Sequence, residues 1–169
     1  MLLMKRFLFV PALMVIALSG TMSAMAAAPI PSVAQILAVC ESPSVEEATS
    51  KGDTIGWARM SDAQIEPWRK DFLAFNGGSV SPVGWKKSAK PDDDVLSFWI
   101  AAGRDSHKAC SYLTSSPASL LDQLTAFLGA PQTLEKSALS TTAFWKHGNR
   151  ETQYSQSGAV GLLNVRYAR

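Results

Sequence analysis

The chain has 169 residues, with 16 Lys and Arg against 14 Asp and Glu, two cysteines and 47% apolar residues. That length suits one ordinary domain with a hydrophobic core, and five tryptophans with only 18% charged residues argue against wholesale disorder. Lys5 and Arg6 account for the whole positive excess. Beyond them acids and bases balance, so net charge gives no support to a nucleic-acid-binding surface.

Residues 1–26 have the layout of a cleaved secretory signal peptide. Lys5 and Arg6 form its positive start, Phe7 to Leu18 is an apolar run broken only by Pro11, and Ala24-Met25-Ala26 supplies small residues before a cut after Ala26. The run is shorter than the roughly 20 apolar residues that span a bilayer. No cysteine precedes Cys40, which excludes a lipid-modified cysteine at the junction. The expectation is an exported, soluble chain, periplasmic or secreted, with residues 27–169 as a single domain.

Helices come first in that domain. Ser32 can cap a helix whose apolar positions Val33, Ile36, Leu37 and Cys40 repeat at helical spacing. Ser44 and Glu47 form a capping-box pair opening a second helix, which Gly52 is expected to end. Ser61 and Gln64 repeat the signal before a stripe of Ile65, Trp68, Phe72 and Phe75, with Trp68 expected in the core. Pro67 leaves two options there: a helix starting near Glu66, or a kinked one.

From Ser79 the period changes to two. Residues 79–87, 95–102 and 107–113 read as strands, with Pro82 marking an edge and Gly103-Arg104-Asp105-Ser106 a hairpin turn. Both faces of 95–102 are apolar, so this strand should be central and covered on both sides. Ser116 and Pro117 open a helix striped by Leu120, Leu121, Leu124, Phe127 and Leu128, which Gly129 and Pro131 stop. Residues 141–147, 151–157 and 159–168 then form hairpin-linked strands. The order α-α-α-β-β-β-α-β-β-β gives the class α+β, with a largely antiparallel sheet.

Two cysteines in an exported chain, Cys40 and Cys110, imply one disulfide. A metal site using His107, Cys110, Cys40 and His147 is disfavoured, because an extended strand turns His107 and Cys110 to opposite faces. The chain has no G-x-S-x-G elbow, phosphate loop, H-E-x-x-H or C-x-x-C. Asp105-Ser106-His107 reads as a turn, and so does Asp92-Asp93-Asp94. Those three aspartates also cancel the field of Lys86, Lys87 and Lys90 within one Debye length. No metal or other cofactor is expected.

The tryptophans remain. Core packing is the first reading for them. An aromatic surface for a ligand or partner is the second, and Trp85, Trp99, Trp145 and nearby Tyr154 are its candidates. The functional expectation is a non-enzymatic binding or interaction protein of the cell envelope. Its partner would be an envelope or secreted protein, or a small ligand, and neither nucleic acid nor a membrane span is implied. The alternative is a small envelope hydrolase or transferase without a local motif. A cleft bringing His107 or His147 to a carboxylate and a hydroxyl would favour that alternative.

Overall fold

A computed structural model describes residues 28–88, 90 and 93–167, so the leader expected over residues 1–26 lies outside the described residues. Helix α1 spans Val33–Cys40. Its capping box is reciprocal: Ser32 Oγ accepts from the Gln35 N–H at 3.3 Å, and Gln35 Oε1 accepts from the Ser32 N–H at 2.9 Å. Helix α2 spans Val45–Asp53 behind Ser44, whose Oγ accepts from the Glu47 N–H at 3.2 Å. Gly52 does not end this helix. It lies inside the last turn, pressed against the Trp85 indole.

Strand β1, Ala58–Arg59, precedes helix α3, Asp62–Asn76. Pro67 neither delays the start of α3 nor ends the helix; the Ser61–Gln64 cap starts it at Asp62, four residues before Glu66. As sixth residue of α3, Pro67 removes one backbone donor and leaves the helix continuous through Asn76. Strands β2 (Ser79–Lys86), β3 (Val95–Ala102) and β4 (His107–Thr114) follow. Helix α4 spans Leu120–Leu128 and starts later than Ser116 and Pro117 suggest. The Ser116 N–H goes back to Thr114 Oγ1 at 3.1 Å, and a turn closed by the Leu120 N–H on the Pro117 carbonyl comes before the helix. The chain ends with β5 (Thr133–Lys136), β6 (Ser140–His147), β7 (Arg150–Ser157) and β8 (Val160–Tyr167).

The strands form one eight-stranded sheet in the order β1-β2-β3-β4-β8-β7-β6-β5, antiparallel throughout. The α+β class with a large antiparallel sheet is therefore the observed architecture. Short β1 and β5 are additions to the expected order, one at each edge. Pro82 sits where the sequence suggests. The Met60 N–H bonds the Gly84 carbonyl, so alternate residues of β2 aim their backbone groups outward, and Pro82 has no donor to leave unpaired there.

Period two sorts the side chains. On the first face two rows run across the central strands. One joins Trp85, Leu96, Tyr112, Leu163, Tyr154 and Ala143, and the next joins Val83, Phe98, Cys110, Val165, Thr152 and Trp145. All twelve are buried, packed with Ile36, Leu37 and Val39 of α1, Ala48 of α2 and Leu124 of α4. Cys40 and Cys110 form the expected disulfide, with Cα atoms 5.1 Å apart, and join α1 to the centre of this face. Closing a loop of 70 residues contributes about 4 kcal/mol on the chain-entropy model.

Gly52 is where backbone and core meet most closely. A Cβ there would lie 2.1 Å from Trp85 Cζ2, and the indole cannot retreat: it is fully buried, and its Nε1–H donates to Asp53 Oδ1 at 3.0 Å. Ala in a helix interior ordinarily gains about 1 kcal/mol over Gly. Overpacking a rigid site costs about 1–3 kcal/mol, so the clash decides the sign. Gly52→Ala should lower the urea midpoint of unfolding; an increase would contradict this packing.

Candidate functional site

The second face of the sheet carries α3. Ile65 is buried beneath the helix, Trp68 is 39% exposed and Phe75 is 95% exposed. The apolar stripe thus passes from core to solvent along α3, and Trp68 stands at the rim rather than inside. Trp68 packs on Phe72 and on Trp99 of β3, with ring centroids 5.1 and 5.3 Å apart. Phe72 packs on His107 of β4 at 5.9 Å. A line of four rings therefore follows the seam between α3 and the sheet.

One hydrogen-bond chain fixes the lower two rings. The Trp99 Nε1–H donates to His107 Nε2 at 3.3 Å, which requires that nitrogen to be unprotonated. His107 Nδ1 then carries the proton and donates to the Asp105 carbonyl at 2.8 Å. With both ring nitrogens engaged, His107 holds an indole and meets neither a carboxylate nor a hydroxyl. His147 is exposed at the end of β6. Among the described residues neither histidine is joined to both a carboxylate and a hydroxyl.

Two cavities flank the aromatic line, and Trp99 borders both. The first, about 150 Å³, lies among Met60, Ile65, Trp68, Pro82, Val95 and Trp99. The second, about 290 Å³, lies among Phe72, Trp99, His107, Ala109, Asn164 and Arg166. A third, about 420 Å³, opens between the starts of α1 and α4, where Ser32, Gln35, Ser119 and Gln123 meet Tyr112 and Thr114.

The four aromatic candidates do not make one surface. Trp85, Trp145 and Tyr154 are 0–1% exposed and lie on the first face, whereas Trp99 is half-buried on the second. The Trp145 Nε1–H donates to the Gly129 carbonyl at 2.9 Å, and the Tyr154 hydroxyl donates to Gln156 Oε1 at 2.8 Å. Those three are framework. Ala109 and Arg166 gave no sequence signal of a site; what marks them is their cross-strand register beside Trp99.

The acidic turn also departs from a solvated one. Asp94 is fully buried and accepts from the Ser115 N–H at 2.8 Å and the Ser115 hydroxyl at 3.2 Å. The Lys87 ammonium is 3.8 Å away, and the Tyr112 hydroxyl donates to Asp94 Oδ2 at 3.5 Å. Among the described residues no cluster of three or more His, Cys, Asp or Glu could hold a metal ion. No described helix is long and apolar enough to cross a membrane. Comparison with protein families, curated proteins and solved structures finds no match to this chain.

Burial pushes the Tyr112 hydroxyl up to about 12, against its ordinary value of 10.0, and the nearby Asp94 charge adds to the rise. The unfolded chain releases this proton first as pH climbs, so the contribution is complete below pH 10.0 and lost progressively up to about pH 12. Tyr112→Phe should therefore flatten the fall in stability across that window, measured by denaturant unfolding at stepped pH. Equal slopes in wild type and variant would contradict the burial of this hydroxyl.

Proposed function

We propose that this chain is an exported, non-enzymatic binding protein of the cell envelope. It would take its ligand on the second face of the sheet, with Trp99 as the contact common to the cavities on either side. The observation that carries this reading is the half-exposed aromatic line Trp68–Trp99 and Phe72–His107, with a cavity on each flank. Aromatic side chains supply large contact area with few rotatable bonds, so an aromatic wall already fixed in place loses little entropy on binding. Export is supported by the sequence of residues 1–26 and is compatible with the Cys40–Cys110 disulfide.

The division of labour between the faces favours a binding role. The first face is packed against three helices, apart from the cavity between the starts of α1 and α4, and is tied by the disulfide, so it holds β3 and β4 from behind. On the second face, α3 covers part of β2 and β3 and leaves a cleft beside Trp99. Rigid strands under a partly open cleft are a common way to present a ligand site.

Native mass spectrometry of the protein purified gently from its host's envelope or medium tests the reading. The expected spectrum shows a chain lacking residues 1–26, two protons lighter for the disulfide, and carrying a small adduct that Trp99→Ala loses. Trp85→Phe, changed in the framework, should keep the adduct. An uncleaved chain would overturn export. An adduct retained by Trp99→Ala, or none at all, would overturn this site.

A further inference from the structure

A single transverse row of the second face reads Pro82, Trp99, Ala109, Arg166, Glu151 and Lys146, each across from the next on β2, β3, β4, β8, β7 and β6. Neighbouring strands lie about 4.8 Å apart, so Trp99 and Arg166 stand about 10 Å apart with Ala109 between them. A methyl between an indole and a guanidinium leaves a hollow, and the 290 Å³ cavity occupies this place. Phe72 and His107 close one side, and Asn164 lies one row along β8 beside Arg166.

The charges of that row do not balance. Glu151 accepts from Lys146 Nζ at 2.9 Å, so the carboxylate beside Arg166 is already engaged by the cation on its other side. Among the described residues the Arg166 side chain has no ion pair or hydrogen bond, and neither has the Asn164 carboxamide. His107 spends its protonated nitrogen on the Asp105 carbonyl. The cavity therefore has flat apolar walls at the Trp99 end and unengaged donors at the Arg166 end.

We infer that the cavity between Trp99 and Arg166 takes a small carboxylate with a flat apolar ring. The ring would lie over Ala109 against Trp99 and Phe72, with the carboxylate on Arg166 and the Asn164 amide. A guanidinium offers two parallel donors that match a carboxylate, which makes Arg166 the residue that selects charge. The hollow is about 10 Å long on strand spacing and encloses about 290 Å³, which suits one ring joined to one carboxylate. This inference rests on the proposed ligand site and adds the chemistry of its occupant. The ligand could be a free aromatic acid or the C-terminus of a peptide, since both present the same groups.

The test is an NMR titration of the disulfide-bonded protein with phenylacetate, phenylacetamide and N-acetylphenylalanine, followed at the indole N–H signals. Phenylacetate should shift Trp99 and leave Trp85 and Trp145 unmoved. Phenylacetamide, equal in size but uncharged, should bind on the order of tenfold more weakly. Arg166→Gln is a change of an exposed side chain, and should abolish that difference while the rest of the spectrum stays folded. N-acetylphenylalanine shifting Trp99 with the same Arg166 dependence assigns the site to peptide C-termini; phenylacetate acting alone assigns it to free acids. Equal binding of acid and amide in the wild type would overturn the carboxylate assignment while leaving the site as a binding cleft. No shift of Trp99 with any probe would overturn the inference and count against the cleft as a small-ligand site.

Discussion

The two-residue repeat of a continuous antiparallel sheet is the constraint from which the other features follow. Once Leu96 and Phe98 turn toward the helices of the first face, Ser97 and Trp99 must turn away. The same parity carries across every strand, so one choice of register sorts all the large side chains. Cys110 shares a row with Phe98, and its bond to Cys40 holds α1 over the middle of that row. A one-residue slip of β4 would turn Cys110 away from α1, so the disulfide and the burial of Phe98 and Tyr112 select the same register.

The second face is a residual of this sorting, and that gives it its character. Its side chains were not needed to close the main core, and α3 covers them over β2 and β3 and, through Phe72, at the start of β4. The coverage is uneven because the apolar stripe of α3 runs off the sheet, from buried Ile65 to Phe75 in solvent. What remains is a seam where indole, phenyl and imidazole rings pack at tilted angles beside open space, bounded on β8 by Arg166, which has no partner among the described residues. The Trp99–His107 hydrogen bond keeps the wall of that seam in one orientation.

Much of the fold was legible in the sequence because its signals are local. An apolar run marked 95–102, the Gly103-Arg104-Asp105-Ser106 turn marked the return over 107–113, Pro82 marked an edge, and Ser32 marked the start of α1. Strands β1 and β5 were not legible: one has two residues, the other four exposed ones, and both exist through pairing with a neighbour. The onset of α4 was misplaced because the chain after Pro117 first makes a turn, closed by the Leu120 N–H on the Pro117 carbonyl, before the helix begins. Gly52 read as a helix stop, when its role is to let Trp85 approach, a tertiary fact no local rule contains. The site was half legible: Trp99 was named, but grouped with Trp85, Trp145 and Tyr154. Parity within each strand was visible, but which face would be the closed one was not, because β3 is apolar on both. Arg166 stayed hidden because its meaning depends on Ala109 and Trp99, two strands distant.

The sheet divides its aromatic residues between a buried framework on one face and a half-exposed seam on the other. Hydroxyl-radical footprinting of the native protein, with oxidation read residue by residue in a mass spectrometer, measures that division directly. Trp68 and Phe75 should oxidise fastest and Trp99 at an intermediate rate, while Trp85, Trp145 and Tyr154 stay unmodified until the protein is unfolded. Oxidation of Trp85 or Trp145 at the rate of Trp68 in the folded state would contradict the division, and with it the site built on Trp99.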